Sequence, residues 1–179
     1  MKKFQLAALI LIIFSSAAFG QTKKPESIYT SLSDKECQTI KQTDEGESYR
    51  GICKGVGGYK LELLEGDLRQ TINIIAPNKK NYKLDLWTIV AGGFSAFGEK
   101  AEWRVTRSGQ TITPIALIMR FNVSENPEDS SKTTSYLVVA KITKTSACVT
   151  DVVKPMANQN IKAQQLADVA GNKPCKTSE

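Results

Sequence analysis

Four cysteines, arranged as two pairs that are each local in the sequence, constrain the fold of this chain more than any other feature. They are Cys37, Cys53, Cys148 and Cys175, and three pairings are possible. Pairing Cys37 with Cys53 and Cys148 with Cys175 is favoured because each bond then closes a modest loop, stabilising the fold by roughly 3 kcal/mol. Neither pair has the close C-x-x-C spacing of a metal or redox site. We therefore predict a disulfide-stapled domain and no bound metal.

The first twenty residues have the three parts of a secretory signal peptide. Two lysines precede an apolar run at residues 6–14, and Ala18 and Gly20 are the small residues expected before cleavage at Gln21. The run is shorter than the roughly 20 residues that a membrane-spanning helix needs. We therefore expect no stable membrane anchor after cleavage. We also expect a periplasmic or secreted bacterial protein, because disulfides form and persist in those compartments.

Cleavage at residue 20 leaves a chain of ordinary single-domain length with a mild positive charge. Removing Lys2 and Lys3 leaves 22 basic against 18 acidic side chains, a net charge of +4. Nucleic-acid binders concentrate such charge on one face, whereas no basic run here exceeds two residues. We predict no nucleic-acid partner. The expected organisation is a signal peptide at 1–20, a flexible lead-in at 21–28 and one β-rich domain at 29–179.

Alternation of apolar and polar residues predicts β-strands through most of the domain. Four short strands separated by turns, within residues 49–53, 59–63, 68–75 and 82–86, predict a meander. The glycines at 55–58 precede a strand rather than a helix, so they predict a turn with positive φ and not a phosphate-binding loop.

A longer strand pair and a helix are predicted in the second half of the chain. Residues 115–123 have one apolar face, while 136–142 are apolar at nearly every position, which is typical of a strand covered on both faces. A polar loop at 124–134 joins them. After a last strand at 148–153, apolar residues from Ile161 to Ala170 predict an amphipathic helix capped by Gly171. The predicted class is α+β: a mainly antiparallel β sheet with a C-terminal helix.

The chain contains no histidine, which excludes the Ser-His-Asp and Cys-His nucleophilic sites and imidazole-bound zinc. Ser95 lies between Gly93 and Gly98, but Gly98 is one residue too far from it to match the G-x-S-x-G motif of a catalytic serine. Carboxylates remain available for acid and base catalysis, yet no spacing selects a pair. We assign no catalytic residue and no cofactor. The acids near aromatic or glycine-rich segments are Asp67, Asp85, Glu99 and Glu102.

Residues 87–102 break the strand alternation and predict a loop or a short helix. Four aromatic residues lie in or beside this segment, close to glycines and with Arg104 adjacent. Aromatic side chains on an irregular segment commonly form a binding surface; the alternative is that the rings cap the core. Our candidate binding residues for an unknown protein or envelope ligand are Trp87, Phe94, Phe97, Trp103 and Arg104. A non-enzymatic binding module is favoured over a small carboxylate-dependent hydrolase acting on an envelope polymer.

Residues 49–59, 66–70, 100–104 and 135–141 together resemble a group of small secreted bacterial proteins that have no characterised activity. The resemblance implies a shared fold and export. It carries no catalytic or binding residue to this chain. The small periplasmic lysozyme inhibitors are also β-rich, exported and disulfide-bonded, but their recognition motif is not visible here, so that likeness is architectural.

Overall fold

The computed structural model describes residues 24–42, 48–126, 128–129 and 131–177. The predicted signal peptide at 1–20 lies outside these ranges. The described residues form a mostly antiparallel sheet with a C-terminal helix, which confirms the predicted fold class. In chain order the elements are β1 (Glu26–Ser31), β2 (Gln38–Gln42), β3 (Ser48–Lys54), β4 (Lys60–Gly66), β5 (Arg69–Ile75), β6 (Asn81–Lys83), α1 (Leu86–Ile89), β7 (Ser95–Ser108), β8 (Thr111–Ser124), β9 (Thr133–Ile142), β10 (Ala147–Val153), α2 (Gln159–Asp168) and a 3₁₀ turn (Ala170–Asn172).

The sheet has two halves that meet at β5 and β7. The spatial order is β10-β9-β8-β7-β5-β4-β3-β2, with β1 paired to β7 and β6 paired to β5. The halves are joined where Arg69 lies beside Ser95, in a short parallel bridge. The predicted meander is confirmed as β3 to β6, and Gly57 and Gly58 have φ values of 61° and 80° in its first turn.

The main core lies between the inner faces of the two halves. On the meander, Leu61 pairs with Ile74 and Leu63 pairs with Ile72, and all four side chains are buried. Apolar side chains of β7, β8 and β9 pack against them in one cluster, with Trp103 fully buried at its centre. The sheet therefore folds over so that one half covers the other.

The predicted burial of β9 on both faces is confirmed. Val138 belongs to the main core, whereas its neighbour Val139 packs on the outer face beneath α2. The helix presents a face of small residues, Ala163 and Ala167, to this second cluster. Ile161 is 55% exposed, so the prediction that it belongs to the packed face of the helix is wrong. The side chains that pack on the sheet are the alanines and not the larger apolar residues.

The predicted glycine cap of α2 is also wrong. The helix ends at Asp168, and Gly171 lies inside the following 3₁₀ turn. Gly171 is not among the glycines with positive φ, the conformation that a glycine cap needs.

Two boundaries differ from the sequence prediction. β7 begins at Ser95, so part of the segment predicted as a loop or short helix is strand. The alternation fails there because the register with β8 shifts between Phe97 and Ala101. β1 begins at Glu26, inside the predicted lead-in 21–28, because its backbone pairs with the second part of β7.

Both predicted disulfides are present, Cys37–Cys53 and Cys148–Cys175. The first ties the segment before β2 to β3, and the second ties the residues after α2 back to β10. Two such bonds suggest an oxidising, extracellular compartment. Among the described residues, no helix combines the length and the apolar character that crossing a bilayer requires.

Candidate functional site

The structure separates the five candidate binding residues. Trp87 and Phe94 are exposed, at 38% and 42% of their surface. Phe97 is partly buried and packs on Phe121, with ring centroids 5.1 Å apart. Trp103 is fully buried, and Arg104 retains 6% of its surface. Trp103 and Arg104 are therefore not part of an exposed binding surface, contrary to the prediction from the sequence.

The burial of Trp103 and Arg104 follows from their places on opposite faces of β7. Trp103 points into the main core, where its indole N–H donates to Thr30 Oγ1 at 2.9 Å. Arg104 points to the outer face, where it binds Asp168 of α2. Consecutive strand residues face opposite ways, and each face of β7 has its own covering layer here. The Trp103 ring therefore belongs to the core, which was the alternative interpretation of the aromatic residues.

Phe94 lies against Arg69, whose guanidinium carbon is 5.3 Å from the ring centroid. Arg69 also donates from Nε to the Gly92 carbonyl at 2.9 Å and pairs with Asp67. A single arginine thus holds the β4–β5 turn, the glycine-containing loop and the Phe94 ring together. Nearby Leu68 is 64% exposed in a left-handed conformation with φ of 58°.

The Trp87 groove is a concave site on the outer face of the meander, with a volume of about 730 Å³. Its floor is formed by Leu64 and Thr71, which are cross-strand partners on that face. Gly66 widens the floor because it has no side chain, and a Cβ built there meets no atom within 4 Å. The residues lining it are Lys41, Ser48, Tyr49, Arg50, Leu64, Glu65, Gly66, Thr71, Asn73, Lys83, Asp85 and Trp87.

The two walls of the groove come from distant parts of the sequence. Lys41 and Arg50 are direct cross-strand partners on β2 and β3 and form one wall. Lys83, Asp85 and Trp87 form the other wall, at the start of α1. Three steps between strands, each about 4.8 Å, separate Lys41 from Thr71, so the groove is roughly 14 Å wide along this row.

Trp87 is held in place although it is exposed. Its indole N–H donates to the Gln70 carbonyl at 2.9 Å, which anchors the ring to the neighbouring strand. The preceding residue, Leu86, is fully buried and fixes the four-residue helix on the core. The ring therefore borders the groove in one orientation.

A buried carboxylate lies beside the groove floor. Glu62 is 4% exposed and accepts hydrogen bonds from Arg50 at 2.8 Å, from Asn73 at 2.9 Å and from Asn81 at 2.6 Å. Burial raises the pKa of Glu62, but these three donors and the Arg50 charge outweigh it and leave the pKa below its ordinary value of 4.5. The network holds Arg50 and Asn73 in fixed positions at the edge of the groove.

The combination of an apolar floor, a fixed aromatic ring and a charged rim suits a small ligand with an apolar body and polar groups. Thr71 adds a buried hydroxyl that has no hydrogen-bond partner among the described residues. Sequence reasoning found Trp87 but missed the residues on the meander strands. The signal was available, since Arg50, Leu64 and Thr71 occupy the outward positions of the alternating strands.

The four acids considered for catalysis lie apart. Asp67 pairs with Arg69 at a turn, Asp85 borders the Trp87 groove, and Glu102 accepts hydrogen bonds from Ser27 and Gln164 under α2. Glu99 lines a different cavity, between the two halves of the sheet. No three His, Cys, Asp or Glu side chains within the described ranges lie close enough to bind one metal ion.

Comparison with protein-family models, with curated proteins and with solved structures finds no match for this chain.

Proposed function

We propose that this protein is a non-enzymatic binding module of the bacterial envelope, periplasmic or secreted, and that its ligand occupies the Trp87 groove. One observation carries the proposal: an open groove of about 730 Å³ with an apolar floor is bordered by an exposed tryptophan that is fixed by a hydrogen bond. This volume lies within the usual range for small-ligand sites.

The fixed ring favours binding for an entropic reason. A side chain that is already ordered loses little freedom when a ligand packs on it, so more of the contact energy is retained as affinity. Trp87 has the Gln70 hydrogen bond on one edge and 38% of its surface exposed. The two unpaired ammonium groups on opposite walls, Lys41 and Lys83, have no partner among the described residues and are available to polar groups of a ligand.

The location in the envelope rests on two supports. The disulfides Cys37–Cys53 and Cys148–Cys175 suit an oxidising compartment. The first twenty residues have the pattern of a signal peptide. The hydrolase alternative has less support: no two of Asp67, Asp85, Glu99 and Glu102 line the same described cavity. The acids that share a cavity with Glu99 are Asp34 and Glu65, which the sequence did not single out.

The test uses the two indole N–H groups of the protein as a site probe and an internal control. In a ¹⁵N-labelled sample, Trp87 reports on the groove and Trp103 reports on the core. The probes are a panel of small aromatic and aliphatic carboxylates, amines and sugars, followed by the low-molecular-weight fraction of an envelope extract. A groove ligand is expected to shift the Trp87 indole signal and leave the Trp103 signal in place.

Two variants sharpen this test. Gly66→Val places a side chain in the groove, where a Cβ meets nothing within 4 Å, so it is expected to block binding while the fold is kept. Phe94→Ala changes an exposed ring outside the groove lining and serves as the matched control. The proposal fails if no probe shifts the Trp87 signal, or if Gly66→Val binds as well as the unmodified protein.

A further inference from the structure

We propose that the ligand of the Trp87 groove is a neutral oligosaccharide, with one sugar ring stacked on the indole of Trp87. This inference rests on the proposed function, because it names the ligand class of the same site. A pyranose ring is amphipathic, since its C–H groups form an apolar face and its hydroxyl groups lie around the edge. The aromatic wall, the floor, the polar rim and the charges of the groove match this chemistry.

The indole of Trp87 is placed to meet a ligand through its ring. Its N–H donates to the Gln70 carbonyl at 2.9 Å, so this donor is already used, while 38% of the residue remains exposed. The face of an aromatic ring carries partial negative charge, which attracts the weakly positive C–H groups of a sugar. A ligand that stacks C–H groups on the ring is therefore favoured over one that needs the indole N–H.

The floor of the groove offers little aliphatic surface. Leu64 is the one purely aliphatic side chain among the described lining residues, and Gly66 contributes no side chain. A long hydrocarbon chain needs enclosing apolar walls to be removed from water, and a single leucine does not provide them. The row from Lys41 to Thr71 instead spans roughly 14 Å, which is room for more than one sugar ring.

The rim of the groove offers both donors and acceptors that are held in place. Glu62 fixes Arg50 at 2.8 Å and Asn73 at 2.9 Å, so little side-chain freedom is lost when a ligand binds there. Asp85 is held by Thr88, whose hydroxyl donates to Oδ1 at 3.0 Å. Because a hydroxyl group both donates and accepts hydrogen bonds, guanidinium and carboxylate groups on the same rim suit the hydroxyl groups of a sugar.

The charges around the groove balance. The charged residues that line it are Lys41, Arg50, Lys83, Glu65 and Asp85. Arg50 is paired with Glu62, with NH2 at 2.6 Å from Oε1, so two cations and two anions remain among the described lining residues. A strongly charged ligand would meet like charges as well as opposite ones. The balance therefore favours a neutral sugar chain over a carboxylate or an amine.

Titration of the full mature protein, labelled with ¹⁵N, tests the proposal through the backbone amide of Gly66 and the indole of Trp87. The probes are cellotriose and triacetylchitotriose, which are neutral and have apolar ring faces. Sorbitol has hydroxyl groups without a ring, and octanoate has an apolar chain with a charge. We expect the trisaccharides to shift both groove signals and leave the Trp103 indole in place, sorbitol to shift neither, and octanoate to bind more weakly. Because the trisaccharides are uncharged, their affinity should not change with added salt.

Substitutions then separate stacking from hydrogen bonding. Trp87→Ala is expected to weaken trisaccharide binding about tenfold or more, followed by the Gly66 amide, whereas Trp87→Phe keeps a ring and should retain part of the affinity. Asp85→Asn keeps the size of the side chain and suits the left-handed backbone at φ 48°. It removes only the charge and is expected to weaken binding about fivefold. Glu128→Gln removes an exposed carboxylate outside the groove lining and should leave the affinity unchanged.

The possible outcomes separate this inference from the proposed function. If octanoate or an amine shifts the Trp87 indole and neither trisaccharide does so at about 10 mM, the oligosaccharide is ruled out while the groove remains a ligand site. If no compound of any class shifts the signal, both proposals fail. Equal trisaccharide affinity in Trp87→Ala and Glu128→Gln also overturns the inference, because the ring is then not the contact.

Discussion

Arg104 of β7 holds Asp168, the last residue of α2, through two hydrogen bonds: Nε to Oδ1 at 2.7 Å and NH2 to Oδ2 at 3.0 Å. The same guanidinium donates to Ser27 Oγ and to the Pro25 carbonyl. Arg104 thus joins the start of the described chain, the middle of the sheet and the end of the C-terminal helix. Its side chain is 7% exposed, so these partners replace water almost completely.

Removing Arg104 is expected to destabilise the protein strongly. Arg104→Ala leaves the Asp168 carboxylate and the Ser27 hydroxyl without their donor, and loss of one partner of a buried pair costs about 3–5 kcal/mol. Urea denaturation monitored by circular dichroism measures the loss. Arg107→Ala is the matched control. Arg107, also on β7, pairs with Glu26 of β1, but the two side chains are 40% and 56% exposed. An exposed pair contributes at most about 1 kcal/mol; equal losses in the two variants would contradict this assignment.

Gly55 is expected to tolerate no side chain. A Cβ at this position lies 2.8 Å from Cζ2 of Trp103 and 2.5 Å from the carbonyl oxygen of Tyr59, both of which are fixed by the core. Gly55→Ala is therefore expected to lose about 1–3 kcal/mol by overpacking. Gly66→Ala is the control, since its Cβ meets nothing within 4 Å, and its thermal midpoint should stay close to that of the unmodified protein. A Gly55→Ala variant as stable as Gly66→Ala would disprove the close approach to Trp103.

The stability of the protein is expected to depend on Glu62 in acid. Because the pKa of Glu62 is lowered in the folded state, the folded protein binds fewer protons than the unfolded chain just below pH 4.5. The contribution of Glu62 is therefore fully present above that pH and is lost as the pH falls through the lowered value. Unfolding free energies from neutral pH to about pH 3 should show a shallower decline in Glu62→Gln than in Glu128→Gln. Parallel curves for the two variants would rule out this role.

Tyr136 is expected to ionise only in strong base. Burial and the Glu125 carboxylate, which its hydroxyl donates to at 2.8 Å, raise the pKa of Tyr136 to about 12. Folded protein labelled with ¹³C at tyrosine Cζ should keep this ring protonated near pH 11, where a free tyrosine is mostly ionised. The raised pKa also means that stability is lost as the pH rises from 10 to about 12.

The Glu125→Gln variant separates the two causes of the Tyr136 shift. Burial remains in this variant while the charge is removed, so the pKa is expected to fall part of the way toward 10. Tyr136→Phe identifies the signal. An unchanged midpoint in Glu125→Gln would contradict a contribution of the Glu125 charge to the raised pKa of Tyr136.

The strands that alternate regularly could be predicted from the sequence, because each has one strongly apolar face on the main core. The continuous apolar run of β9 correctly predicted a strand buried on both faces, since the core covers one face and α2 covers the other. The first part of β7 could not be predicted in this way. The irregularity between Phe97 and Ala101 disrupts the period of two that a sequence pattern needs.

Most of the candidate sites lay beyond sequence reasoning. Trp103 and Arg104 look like part of an aromatic surface segment until the meander covers one face of β7 and α2, more than fifty residues later, covers the other. The Trp87 groove combines Lys41, Leu64 and Trp87, which only the pairing of four strands brings together. The cavity lined by Tyr49 and Glu99 depends on β3 and β7 lying opposite each other across the core. Such sites follow from tertiary packing, which no local pattern specifies.

The contact between Arg104 and Asp168 also bears on the order in which the protein can mature. A chain grows from its N-terminus, so β1 and β7 are synthesised long before the carboxylate that satisfies Arg104. Until residue 168 is available, this arginine needs water as its partner and the outer face of the sheet stays uncovered. A growing or truncated chain that ends before α2 should therefore remain open to proteases and chaperones, and the arrival of the helix marks the completion of folding.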